Sequence, residues 1–293
     1  MMYKMISIML LMLLCPAAVS AHETFAWPIS SWAEVGDVAI VPIGSGHNTT
    51  STEIPAGVMY LKVTSPSGQV INHTFDEKTD TSGYWKLYSF DVDEPGLYIL
   101  DLFHTEGAWT NIVTNPPAKS IWQSGYAPEI DFEALNKTGW ADDWYVQRSY
   151  EKLCYAKAFV AGPNSDFSQA NKPIGEKLEI VPLNNITTVG KGDFEFQVLF
   201  DDKPMDNLTV IAERVGDDTK LTAATDKDGK VKFDLTNPSA EFNQWVITTD
   251  TGTDLRTNEL MDMPRGKNSN EKTYVGPKYI STLILTTQYL KGE

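Results

Sequence analysis

An all-β chain made of two sandwich domains is what this sequence predicts. Short runs carry apolar residues at spacing two, and turn residues separate them about every ten to fifteen positions. Heptads, repeats of fixed period and low-complexity tracts are missing. From 22 to 125, "DVAIVPIG" (37 to 44), "VMYLKVTSP" (58 to 66), "YWKLYSFDV" (84 to 92) and "GLYILDLFH" (96 to 104) read as strands of an N-terminal β-sandwich. Between them stand the turn signals Ser65-Pro66-Ser67-Gly68, Asp80 to Gly83 and Glu94-Pro95-Gly96.

From 126 to 175 the pattern changes to a connector with a short helix and a strand. Trp140, Trp144, Tyr145 and Arg148 fall at offsets of three and four, which predicts a helical turn near 140 to 150. Tyr150 to Val160 alternates in its second half and reads as a strand, and the Pro/Asn/Ser-rich stretch 161 to 175 reads as a loop. Strands return over 176 to 293: "EKLEIVPL", "FEFQVLFDDKPM", "LTVIAERV", "KLTAATDKDGKVKFDL", "QWVITTD" and "YISTLILTTQYL". Asp228-Gly229 between two alternating runs is a hairpin signal. This half resembles an Ig-like or transthyretin-like sandwich.

Residues 1 to 21 read as a secretory signal peptide. Lys4 is the charge of a short n-region, "MISIMLLMLL" (5 to 14) is the apolar segment, and Val19-Ser20-Ala21 places small residues before the cut. The apolar run is too short for a bilayer core, which needs roughly 20 residues. The expected product is a periplasmic or secreted protein with no membrane span. The chain carries a net charge of -15, and loss of Lys4 makes the mature form one unit more negative. Such acidity excludes nucleic acid as a partner and favours cations. Of the two cysteines, Cys15 leaves with the signal, so Cys154 is expected to be a buried apolar residue without a disulfide partner.

No G-x-S-x-G, C-x-x-C, H-E-x-x-H or phosphate-cradling glycine loop occurs. "DKDG" (226 to 229) begins like a calcium loop but lacks the closing acid, and it reads as a turn. Histidine is the informative residue, with four in the chain: His22, His47, His73 and His104. Cleavage after Ala21 makes His22 the first residue. Its α-amine and ring nitrogen then close a chelate ring, and one more imidazole completes a three-nitrogen histidine brace suited to copper or nickel. His47 after the turn "IGSG" and His104 at the end of "GLYILDLFH" are the expected partners, with His73 in "VINHTFDE" ranked last as an exposed turn. Trp27, Trp32, Trp85, Trp109 and Trp122 crowd the first half, where core packing or a sugar-stacking face accounts for them.

Several segments bear a family likeness. "AHETFAWP", "IGSGHN", "DEPGLYILDLFHTEGAWT", "YEKLCYAKAFVAG", "PIGEKLEIVPLNN" and "VLFDDKPMDNLTVIAE" followed by "TDKDGKVKF" resemble the motifs of a periplasmic family of unknown function, once filed as a nickel-uptake, substrate-specific component of cobalt/nickel transport. The likeness spans nearly the whole mature chain. Asn48-Thr49-Thr50 departs from the family's continuation after the turn histidine. The resemblance implies a two-domain β-protein that handles a transition metal, and its motif histidines correspond to His22 and His47. The expected function is therefore non-enzymatic: a copper or nickel binder that serves as carrier or accessory, with a membrane metal transporter as its partner. The alternative is a carbohydrate- or protein-binding sandwich without metal. A copper oxidase built on the same brace would need a flat aromatic face, for which the sequence offers no further sign.

Overall fold

A computed structural model of the chain describes residues 23–47, 50–75, 81–114, 119–137, 144–236, 244–252, 254, 256–262 and 273–290. The N-terminal half contributes β1 (Glu23–Ala26), β2 (Val38–His47), β3 (Thr50–Glu53), β4 (Val58–Thr64), β5 (Val70–Thr74), β6 (Thr81–Ser82), β7 (Trp85–Asp91), β8 (Tyr98–Thr105), β9 (Ala108–Thr114) and β10 (Lys119–Ser124). A one-and-a-half-turn helix α1 (Phe132–Lys137) precedes the long strand β11 (Trp144–Val160). The C-terminal half holds β12 (Leu178–Pro182), β13 (Asp193–Phe200), β14 (Lys203–Pro204), β15 (Thr209–Arg214), β16 (Lys220–Ala224), β17 (Lys230–Asp234), β18 (Gln244–Asp250), β19 (Glu259–Met261) and β20 (Thr273–Thr286). The protein is all-β, as the alternation predicts.

Three sheets make two sandwiches. The first sheet orders β1-β2-β7-β6, with β3 on β2; the third joins β12, β13, β14 and β17. Between them runs one long sheet, β16-β15-β18-β20-β11-β8-β4-β5, that belongs to both halves. Its spine is the parallel pair β11–β20, in register from Ser149↔Val275 to Lys157↔Leu283. Alternation along the spine divides the cores. On β8, Leu100 and Leu102 join Phe25, Val41, Ile43, Leu61, Ala156 and Ala158 in the N-terminal core. On β11 the odd-numbered Phe159 turns the other way, into the C-terminal core with Ile180, Phe194, Phe196, Trp245 and Leu283. Each such buried aliphatic or aromatic side chain contributes roughly 1.5–3 kcal/mol.

Two local expectations are corrected. The helix expected near 140 to 150 is instead strand from Trp144 onward, with a bulge between Val146 and Arg148; Trp140 lies outside the described residues. A strand gripped by neighbours on both edges, with a bulge that shifts its phase, imitates helical offsets. The helix that does form, α1, stacks Phe132 on Trp144 with ring centroids 5.0 Å apart. Asp228-Gly229 does make a turn, since the amide of Gly229 donates to Asp226 O and that of Asp226 to Lys230 O. The Asp226 carboxylate also accepts from the amides of Asp228 and Lys230. The strands on either side are not a hairpin, because β16 pairs with β15 and β17 with β13. The turn is a corner between two sheets. Gly229 at φ +70° lies so close to β13 that a Cβ would sit 2.7 Å from Val198 O, hence glycine there.

Candidate functional site

The corner where β1 enters the first sheet is the place to which the expected metal ligands belong. His22 lies outside the described residues, and so do residues 1 to 21. β1 pairs antiparallel with β2 from Glu23↔Gly46 to Ala26↔Ile43. His47 ends β2, with its backbone opposite Thr50 of β3. In sequence, His22 stands just before one member of the Glu23–Gly46 pair and His47 just after the other.

β1 is held from three sides. Phe25 and Ala26 are buried in the N-terminal core, Phe25 with Trp27 and Trp85 ring centroids at 6.2 and 6.0 Å. Glu23 is buried, and the Thr248 hydroxyl of β18 donates to its Oε2 at 3.4 Å. Burial first, then the nearby Glu213 carboxylate, push the Glu23 carboxyl up to about 7, against the pull of Lys220 and the Thr248 bond. The N-terminal strand thereby touches the C-terminal half directly.

The third hold is His104. It is buried, with Nε2 2.5 Å from Ala56 O and Nδ1 2.8 Å from Thr24 Oγ1. A carbonyl only accepts, so Nε2 carries a proton and donates to Ala56 O, while Nδ1 shares a hydrogen bond with the Thr24 hydroxyl. Gly57, at φ +84°, allows that approach, since any Cβ there would collide with Thr105 O. With both nitrogens occupied, His104 is a clamp on β1 in this arrangement, not an open ligand. Cys154 lies opposite His104 across β8–β11, buried as expected, and burial raises its thiol to about 11 despite a hydrogen bond with Thr24. His73 is in strand β5 and not in a turn; its ring packs on Phe75 and Tyr88 at 4.5 and 4.7 Å.

Among the described residues, no group of three or more His, Cys, Asp or Glu side chains is arranged to hold a metal ion. No described helix is long and apolar enough to cross a membrane. Trp27 and Trp85 pack on Phe25 and Trp32 on the C-terminal core, whereas Trp109 and the exposed Trp122 lie with Tyr150 on one face of the β10-β9-β11 strands.

Sequence reasoning passed over a second polar cluster, on the opposite face of the long sheet. Lys62, Asp101 and Lys157 are register partners across β4, β8 and β11. Lys157 Nζ is 2.5 Å from Glu179 Oε1, and both side chains are buried. The amides of Ile174 and Gly175 donate to the Glu179 carboxylate at 2.9 to 3.1 Å. Glu176 is buried beside them. The sign that could have disclosed this cluster is a charge inside an apolar strand run, the lysine of "AKAFVAG" and the first glutamate of "LEIVP".

Fold and corner together define a two-sandwich β-protein whose first strand is clamped at its start. The chain belongs to the DUF4198 family, a domain of unknown function, whose model matches residues 19–250. No curated protein matches it. Among solved structures it is similar to the D0-D1 domain of intimin, at 11% identity over 89% of this chain and 97% of that one, TM-score 0.22. It is also similar to a DUF4785 family protein from Legionella pneumophila, at 11% identity over 84% and 55%, TM-score 0.25. A third is a two-domain fibronectin type-III segment of chicken tenascin, at 7% identity over 78% and 91%, TM-score 0.20.

Proposed function

We propose that this is an exported, periplasmic protein that binds copper or nickel through a mature N-terminal histidine and works as a carrier or accessory to metal transport. The observation that carries the reading is the β1–β2 register, which pairs Glu23 with Gly46 and so brings together the chain segments that continue into His22 and His47. The α-amine and ring of His22 with the ring of His47 make a three-nitrogen donor set, the kind that suits Cu(II) or Ni(II). His104 supports it as a positioning residue, since its Thr24 bond fixes β1 one residue after Glu23. The acidic surface raises the local cation concentration, and a membrane metal transporter is the partner such a carrier would serve.

N-terminal sequencing of the exported protein, followed by copper and nickel titration of wild type and His22→Ala, tests this. The expected results are a chain beginning at His22 and loss of tight binding in the variant. A different mature start, or equal binding by His22→Ala, overturns it.

One observation favours a second reading, a protein-binding sandwich that works without metal. Val38 and Ile40 on β2 and Leu87 on β7 expose an apolar stripe on the outer face of the first sheet. That reading predicts function undiminished by chelators.

A further inference from the structure

Two segments singled out in the sequence, "YEKLCYAKAFVAG" and "PIGEKLEIVPLNN", have no part in the metal reading. Folding brings them together at Lys157 and Glu179. The amine is a nucleophile and the carboxyl an acyl group, both are buried, and they stand at contact distance. Two backbone N–H groups, from Ile174 and Gly175, aim at Glu179 Oε2 at 3.1 and 3.0 Å, where charge would develop on the oxygen during addition to the carboxyl. Beside the pair is Glu176, buried, with no donor within hydrogen-bonding distance of either oxygen.

The groups that face Glu176 are Asp101 from β8, Lys157 and Tyr155 from β11, Glu179 from β12 and Tyr60 from β4. A bond between the Glu176 and Asp101 carboxyls exists only when one of them holds a proton. Burial raises Glu176 well above the ordinary carboxylate range, and the Asp101 and Glu179 carboxylates add to that against the pull of Lys157. Those influences favour the protonated form of Glu176. The ring of Phe103 stacks on Tyr60 and packs at a tilt on Tyr155, with centroids 5.1 and 5.3 Å apart, covering the sheet next to Asp101 and Lys157.

We propose that Lys157 and Glu179 are joined by an intramolecular isopeptide bond, formed within the folded chain. The step begins as one proton passes from the Lys157 ammonium to the Glu179 carboxylate across their 2.5 Å contact, which leaves a neutral amine and a neutral acid. Nζ attacks Cδ of Glu179, forming the C–N bond, and the amides of Ile174 and Gly175 stabilise the oxyanion. The departing Oε1 hydroxyl takes its second proton from the nitrogen, across the contact that holds Nζ 2.5 Å from Oε1. The C–O bond breaks and one water leaves. No oxidant or external reactant is required, and the held geometry replaces a second-order encounter.

The test is the intact mass of the denatured, purified chain, with peptide mapping. The expected mass is lower by one water than the sequence from the determined N-terminus, with a branched peptide joining Lys157 to Glu179. Lys157→Met should have its full sequence mass. An unmodified wild-type mass overturns the proposal even if the variant does not fold. So does water loss that maps elsewhere or persists in Lys157→Met.

Discussion

The long sheet buries polar groups on both of its faces, and the two sets differ in kind. Under β1, His104, Thr24 and Ala56 form a hydrogen-bonded chain. On the other face, Lys157, Glu179, Asp101 and Glu176 gather titratable groups where the two sandwiches share β11 and β20. A hydrogen-bonded chain with its groups satisfied contributes modestly and fixes geometry. A buried charge cluster is costly unless every member finds a partner, so it tolerates little change and favours chemistry that removes charge. The first site positions a strand, whereas the second is poised to react.

That contrast sets the expected order of effects. Lys157→Met removes the proposed cross-link and leaves the Glu179 carboxylate buried without a cation, and should destabilise the chain by about 3–5 kcal/mol in denaturant titration. A loss below about 1 kcal/mol would show the pair to be incidental. His104→Ala should cost about 1–3 kcal/mol through the unmet Thr24 hydroxyl and Ala56 carbonyl. It should weaken metal binding while leaving the stoichiometry intact, and a lost equivalent would make His104 a ligand after all.

Glu176→Gln should change the pH profile of stability. A carboxyl raised by folding binds more protons in the native state than in the unfolded one. Its contribution is therefore complete below the unfolded value, near 4.5, and is lost as pH rises toward the folded value. Wild type should lose up to about 1.4 kcal/mol per pH unit above that point relative to Glu176→Gln, measured by unfolding at several pH values. Parallel profiles would place the proton elsewhere. Gly229→Ala, at the corner between sheets, should cost somewhat more than about 1 kcal/mol, from positive φ and the approach to Val198 O. Neutrality there would mean that the corner is free to move.

Strand positions were legible because half-buried strands alternate, as β4 and β8 do with Leu61, Val63, Leu100 and Leu102 turned inward. Partnership was not legible. Asp228-Gly229 shows where the chain reverses, but whether β17 rejoins β16 or crosses to β13 depends on residues 33 to 41 positions away in sequence. The same holds for the β11–β20 pair, whose partners, such as Ser149 and Val275, are 126 positions apart in sequence. Of the site histidines, His22 and His47 could be singled out by position. The role of His104 depends on Thr24 and Ala56, which no local pattern connects to it.

The central claim is that a free N-terminal His22 amine is a metal ligand. Its most direct measurement is copper and nickel titration of the mature chain beside a form with one added glycine before His22, which keeps the imidazole and displaces the amine. The account predicts that the extension weakens binding by at least about tenfold, or about 1.4 kcal/mol. Equal affinity in the two forms would contradict it.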